Sequence, residues 1–263
     1  MILKQAQVGE LQQYQIGQYV IPYRDIVHPD GLVRVEYYHE DDVEQPQAFT
    51  KFRSRMSMFQ NEYASWKSVG FDSATLMELC ARMYEKKILN PETKDARQWW
   101  AGGTDSCEEM LVVRSAGLPM NVGLLCHVDK AEAMIANESV RNASLPGRLS
   151  SRGQINAAFQ EQYYIYTRKL ENGDRVFEMK TQNDGRHQAT SQIDAPNPCY
   201  PHYSSIWSRW QGAEKPNVHI MIYGDTGTGK STFLATFPKP LLVWCFDPHG
   251  KDFPYWKWMD FSG

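Results

Sequence analysis

The chain has 263 residues, of which 42% are hydrophobic, 13% aromatic and 22% charged, with a formal net charge of −3; that is enough for a buried core in one large domain or two small ones, and it excludes a disordered chain. A mean hydropathy of −0.55, without an unbroken apolar run of about 18 residues, excludes a membrane-spanning helix. A pI near 6.2 excludes a uniformly basic nucleic-acid coat but leaves room for a local basic loop.

Residues 1–10 hold no apolar core ahead of a small-residue cleavage site, so a soluble, cytoplasmic protein is expected. Residues 32–38 (LVRVEYY) are β-rich and follow the Asp30-Gly31 turn. Over residues 46–63, Phe49, Phe52, Met56, Phe59 and Tyr63 recur at helical spacing. Residues 66–71 form a short apolar run ending in Asp72-Ser73, and Thr75-Leu-Met-Glu78 reads as a capping box that opens a helix. Another helix is expected over 105–115, then a strand over 121–126 (NVGLLC).

Residues 139–160 contain no acid and carry Arg141, Arg148 and Arg152, a local charge of +3; they read as a long surface loop followed by a short helix. Residues 162–169 and 175–181 flank Asn172-Gly173, a hairpin signal. A Pro-rich irregular stretch (195–201), a linker (211–217), a strand (218–223), a short helix and a strand (241–246) complete the chain. This alternation predicts an α/β fold with a largely parallel sheet. The five cysteines (Cys80, Cys107, Cys126, Cys199, Cys245) lack zinc or redox spacing and read as reduced packing thiols.

Gly224-Asp-Thr-Gly-Thr-Gly-Lys230-Ser231 matches G-x-x-x-x-G-K-[ST] in full, between an apolar strand (VHIMIY) and a helix (STFLATF). Glycines let backbone N–H groups curl around a phosphate, and the helix N-terminus adds its positive dipole end. Lys230 is placed to reach the β/γ-phosphates and Ser231 to bind Mg²⁺.

Hydrolysis also needs a strand-end carboxylate for the metal and a group that positions water. Only 32 residues follow Ser231, so these parts must lie upstream. Asp72 ends an apolar run in the manner of a Walker B acid, although Gly70 interrupts the run; the alternative role is a cap for the next helix. His127 ends the 121–126 strand, either as a γ-phosphate sensor or as a solvated strand-end histidine. Conventional order is phosphate loop, water-positioning acid, Walker B, sensor strand. Cutting at 217/218 and joining Gly263 to Met1 restores it, so the chain reads as a circular permutant.

In that order the chain resembles the RecA-like P-loop ATPases of bacteriophages associated with single-strand annealing and recombination. The matching stretches are IMIYGDTGTGKSTFLATFPKPLLVWCFD, WKSVGFDSATLMELC, NVGLLCHVDK, LPGRLSS and FEMKTQNDGRHQATSQID. The resemblance implies one RecA-like domain over 1–263: residues 218–263 supply the phosphate-loop unit, 1–204 the Walker B strand, sensor strand, loop and hairpin, and 205–217 the connection. It implies ATP on Gly224, Asp225, Thr226, Gly227, Thr228, Gly229, Lys230, Ser231 and Thr232, with Mg²⁺ at Ser231 and Asp72. Asp247, after LLVWCF, falls where an acid polarises the attacking water, with Glu40 as fallback; Asp247 also reads as an Asp-Pro turn initiator. His127 falls at the sensor position.

Single-stranded DNA is the partner implied for the loop of Arg141, Arg148 and Arg152, which otherwise reads as a solvated loop. A ring or filament of copies is implied too. The family's basic pair toward a neighbouring γ-phosphate is missing from 189–192 (ATSQ), with Arg186 as the nearby substitute. Two other classes share the phosphate loop: a nucleotide-binding scaffold with weak turnover, and a small-molecule kinase with residues 141–152 as its lid.

Overall fold

The computed structural model describes residues 7–135, 138–143, 145, 155, 158–159, 161–193, 195–210 and 217–248. Ten strands run in chain order: β1 (Gln7–Ile16), β2 (Tyr19–His28), β3 (Gly31–Tyr37), β4 (Ser68–Asp72), β5 (Asn121–Ile135), β6 (Glu138–Ala143), β7 (Glu161–Lys169), β8 (Arg175–Lys180), β9 (His219–Gly224) and β10 (Leu241–Cys245). The α-helices are α1 (Ala48–Phe59), α2 (Ala74–Tyr84), α3 (Ala96–Glu108), α4 (Tyr203–Trp210) and α5 (Lys230–Ala235).

The strands form one sheet in the order β1-β2-β3-β10-β4-β5-β9-β7-β8, with β6 paired to β5. From β3 across to β7 every neighbouring pair is parallel. The antiparallel pairs are hairpins at the two margins and the β5–β6 pair. The central strands LLVWC (β10) and SVGFD (β4) are buried along their whole length, with only Ser68 and Asp72 polar at the two ends of β4. Such strands need cover on both faces, and they have it. On one face, α1 and α2 pack Phe49, Phe52, Phe59 and Met77 against Phe71 and Trp244. On the other, α4, α5 and the turn after it bring Tyr203, Ile206, Phe233, Leu234 and Phe237 to Val243, Ile220 and Ile222.

The last described elements are no appendage. β9 lies between β5 and β7, and β10 lies between β3 and β4. The sheet built by the first two hundred residues therefore has gaps that only the C-terminal unit fills.

Gly70 on β4 and Gly123 on β5 are register partners in the middle of that sheet. A Cβ on Gly70 would stand 2.7 Å from Leu234 Cδ1, and one on Gly123 2.6 Å from the same atom. The paired glycines form a slot for Leu234, so α5 sits close to the sheet. Gly70 interrupts the apolar run because a helix side chain occupies the space its own side chain would need.

Several local expectations change. β1 and β2 form a hairpin that the sequence did not announce: β1 (QVGELQQYQI) is exposed along most of its length and has no strong apolar alternation. The 46–63 helix is α1 followed by a 3₁₀ stretch, Gln60–Ser65. α3 begins well before 105, because the Asp95 carboxylate caps it by accepting from Arg97 N at 3.0 Å. α2 is capped by Ser73, which accepts from Leu76 N, and not by Thr75. Residues 139–143, read as part of a loop, belong to β6 (Glu138–Ala143). Residues 205–210 of the expected connection belong to α4, with Ile206 buried, while 211–216 lie outside the described residues. Among the described residues no helix is long and apolar enough to cross a membrane.

Candidate functional site

Parallel strands bring their carboxyl ends to one rim, where an open α/β sheet leaves its crevice. Four expected site residues meet there because β9, β5, β4 and β10 are consecutive neighbours. His127 is level with Gly224, and Cys245 with Asp72.

β9 delivers the chain into the loop 224–231 at Gly224, whose missing side chain leaves room for the Ile165 carbonyl. Gly227 and Gly229 take positive φ, 77° and 87°. Gly229 is the left-handed residue from which α5 starts, a conformation that L side chains rarely adopt. The Thr228 hydroxyl braces the turn by donating to Asp225 O at 2.7 Å. Asp225, Thr226 and Gly227 are exposed, as a surface that receives a ligand must be, whereas Thr228 is buried and Ser231 and Thr232 are half-buried in the first turn of α5.

Lys230 is only 9% exposed. Its Nζ donates to Gly224 O at 2.9 Å and Asp225 O at 2.8 Å, both carbonyls of its own loop. Burial lowers its pKa, with Asp72, Cys126 and Asp225 pulling the other way. A desolvated ammonium held by neutral acceptors is poised for an anion.

Ser231 Oγ donates to Asp72 Oδ2 at 2.8 Å. This bond joins the first turn of α5 to the end of β4 across 159 positions of sequence. Asp72 is nearly buried, and the cap of α2 is Ser73, so the capping role weighed for Asp72 falls to its neighbour. A hydroxyl and a carboxylate are hard oxygen donors of the kind that could hold Mg²⁺. Among the described residues there is no group of three or more His, Cys, Asp or Glu able to hold a metal by themselves. None of the five cysteines is in a disulfide, and four of them are buried.

His127 is half-buried, and its backbone N–H donates to Thr75 Oγ1 at 3.0 Å. Thr75 thus joins the α2 N-terminus to the end of β5, a role that the capping-box reading hid. Burial lowers the His127 pKa, and the Lys230 charge lowers it further; Asp72 and Asp247 oppose both. Lys230, Asp72, His127 and Asp247 therefore share one electrostatic field. Asp247 is half-buried just past β10. The fallback acid Glu40 is engaged elsewhere: its oxygens accept from Gln47 N and Ala48 N, both at 2.8 Å, and cap α1.

Of the basic residues, Arg141 lies on β6 opposite Lys130, while Arg148 and Arg152 lie outside the described residues. The 189–192 stretch is bound to β7: Thr190 bridges Gln162, and Gln192 N donates to Glu161 Oε1 at 2.8 Å. Arg186 is exposed in the turn before it, its N–H donating to Asp184 Oδ1 at 3.0 Å. Tyr223, next to the loop, donates its hydroxyl to Gln188 O at 2.6 Å and ties this segment to β9.

The Gly70–Gly123 pair is the positioning feature that motif reading passed over. Its signal was present as a glycine inside each of two apolar runs, 66–71 and 121–126. Comparison with family models, with curated proteins and with solved structures finds no match for this chain.

Proposed function

We propose that this chain is a Mg²⁺-dependent ATPase of RecA-like fold in circularly permuted order, coupling nucleotide state to single-stranded DNA. The observation that carries the reading is the Ser231–Asp72 hydrogen bond, which closes the phosphate loop onto a strand-end acid from a distant part of the sequence. The rearranged order draws support from the sheet, since β9 and β10 occupy interior positions among strands of the N-terminal part.

In this reading the loop N–H groups and the α5 N-terminus hold the phosphates, and Lys230 exchanges its two carbonyl partners for β/γ-phosphate oxygens. Ser231 and Asp72 hold Mg²⁺, which supplies charge neutralisation on the terminal phosphates. Asp247 orients the attacking water, and His127 reads the γ-phosphate. DNA phosphates pair with Arg141, Arg148 and Arg152, and copies assemble as a ring or filament. The setting implied is the cytoplasm of a phage's bacterial host.

A second reading, a nucleotide-binding scaffold with weak turnover, is favoured by the engagement of Glu40 in capping α1 and by 189–192, whose backbone pairs with β7 and which carries no cation. One experiment separates them. ATP binding and turnover are measured with and without single-stranded DNA, for the natural chain and for Lys230→Ala. The ATPase reading expects DNA-stimulated turnover that Lys230→Ala abolishes together with binding. Full activity in the variant overturns the site, and tight binding with flat, negligible turnover selects the scaffold.

A further inference from the structure

The groups gathered for the terminal phosphate all lie to one side of β9. Asp72, His127 and Asp247 come from β4, β5 and β10, and β5 is the neighbour of β9 on that side. A triphosphate seated in the loop therefore points its terminal end toward β5 and β4. Its nucleoside end must leave on the opposite side, where β7 and β8 stand.

The β7–β8 hairpin forms a wall at that side. β7 is level with β9 at Tyr164 and Tyr223, and beyond that pair it runs on to Lys169 with β8 alongside. Phe177 sits on this projecting part, paired with Thr167. Strand alternation puts Phe177 on the same face as Met179, which is buried in the core beneath α5. The Phe177 ring continues that row to the phosphate loop: a Cβ on Gly229 would stand 3.2 Å from Phe177 Cδ1 and 3.6 Å from Cε1. Yet the residue is 41% exposed. One edge of the ring, with Cδ1 and Cε1, lies beside Gly229, on the β8 side of the loop.

We propose that Phe177 is the nucleobase platform of the site: its exposed ring surface stacks against the base of the bound nucleoside triphosphate. This rests on the phosphate-loop reading above and adds the nucleoside half of the ligand to it. Stacking on an aromatic face accepts every base and rewards ring area, so purine nucleotides bind better than pyrimidine nucleotides.

The test compares Mg-ATP with Mg-tripolyphosphate, which has the phosphates and no base, by calorimetry on the natural chain, Phe177→Ala and Phe177→Tyr. The expected result is an ATP dissociation constant about tenfold weaker in Phe177→Ala, with tripolyphosphate binding unchanged and Phe177→Tyr close to the natural chain. Parallel weakening of both ligands would mean that the ring merely props Gly229, and unchanged ATP binding would mean that the base lies elsewhere; either result overturns the platform. Failure of the natural chain to bind both ligands overturns the phosphate-loop reading and the platform with it. Binding of tripolyphosphate that ATP cannot better leaves the loop standing and removes the platform alone.

Discussion

Two buried charge clusters sit in the same sheet and are built on opposite plans. Around Glu36 on β3, which is fully buried, the partners are all side chains of the protein. Tyr14 and Tyr38 donate hydroxyls at 2.7 and 2.8 Å, Trp244 Nε1 donates at 3.1 Å, and Arg55 Nε donates to both oxygens at 3.1 Å. Arg55 then gives its remaining fork to Glu62 at 2.9 and 2.8 Å. Both charges are matched inside the fold, and five elements are joined: β1, β3, α1, the 3₁₀ stretch and β10. At Lys230 the plan is reversed, because the acceptors are two neutral carbonyls of a loop whose outer residues are open to solvent. A buried charge answered by the protein's own opposite charges holds structure together. The Lys230 ammonium has carbonyls as its hydrogen-bond acceptors and also feels the Asp72 and Asp225 charges, yet burial still lowers its pKa, which in the proposed reading suits it to an anionic ligand.

The sharpest break of this contrast is in stability. Glu36→Ala strands the Arg55 guanidinium inside the fold and is expected to cost about 3–5 kcal/mol, while nucleotide affinity is kept in the fraction that folds. Lys230→Ala should do the reverse, losing the ligand with little change in denaturation midpoint, since its ammonium already pays for desolvation. Urea titration of both variants checks the pair. Equal destabilisation would erase the distinction between the clusters.

A smaller effect tests how the loop is aimed. Gly123→Ala drives a methyl group into Leu234 and is expected to cost about 1–3 kcal/mol. It should also weaken tripolyphosphate binding, because α5 must lift off the sheet. Adding Leu234→Ala should recover part of both losses, and a strictly additive double variant would show that the slot is not the cause.

The smallest expected effect concerns His127. Its pKa in the free protein is held below the ordinary histidine value by burial and by Lys230. Bound phosphate charge raises it, so binding takes up a proton between the free and bound values, and affinity gains as pH falls through that window. Relative to His127→Gln, the natural chain should gain up to about fivefold in affinity as pH falls from above the ordinary histidine value to below the value of the free protein, the worth of one charge interaction of about 1 kcal/mol. Identical pH profiles for the two proteins would remove His127 from the phosphate's field.

Local chemistry is what sequence reports well. The loop 224–231 was readable because its glycines, lysine and serine act through backbone geometry inside eight residues. The alternation of strands and helices was readable because buried parallel strands are continuous apolar runs. The ends were harder: Asp95 starts α3 through a cap that lies outside the apolar stripe, and 138–143 is a strand only because β5 continues beside it.

What no stretch of sequence contains is the meeting of Ser231 with Asp72, the level pairing of Gly70 with Gly123 under Leu234, or the Phe177 ring over Gly229. Each depends on which strands become neighbours, and that is decided by the burial of whole faces when β9 and β10 enter the middle of the sheet. The opening length and composition allowed one domain or two. The order of the strands, which no motif spells out, makes them one sheet.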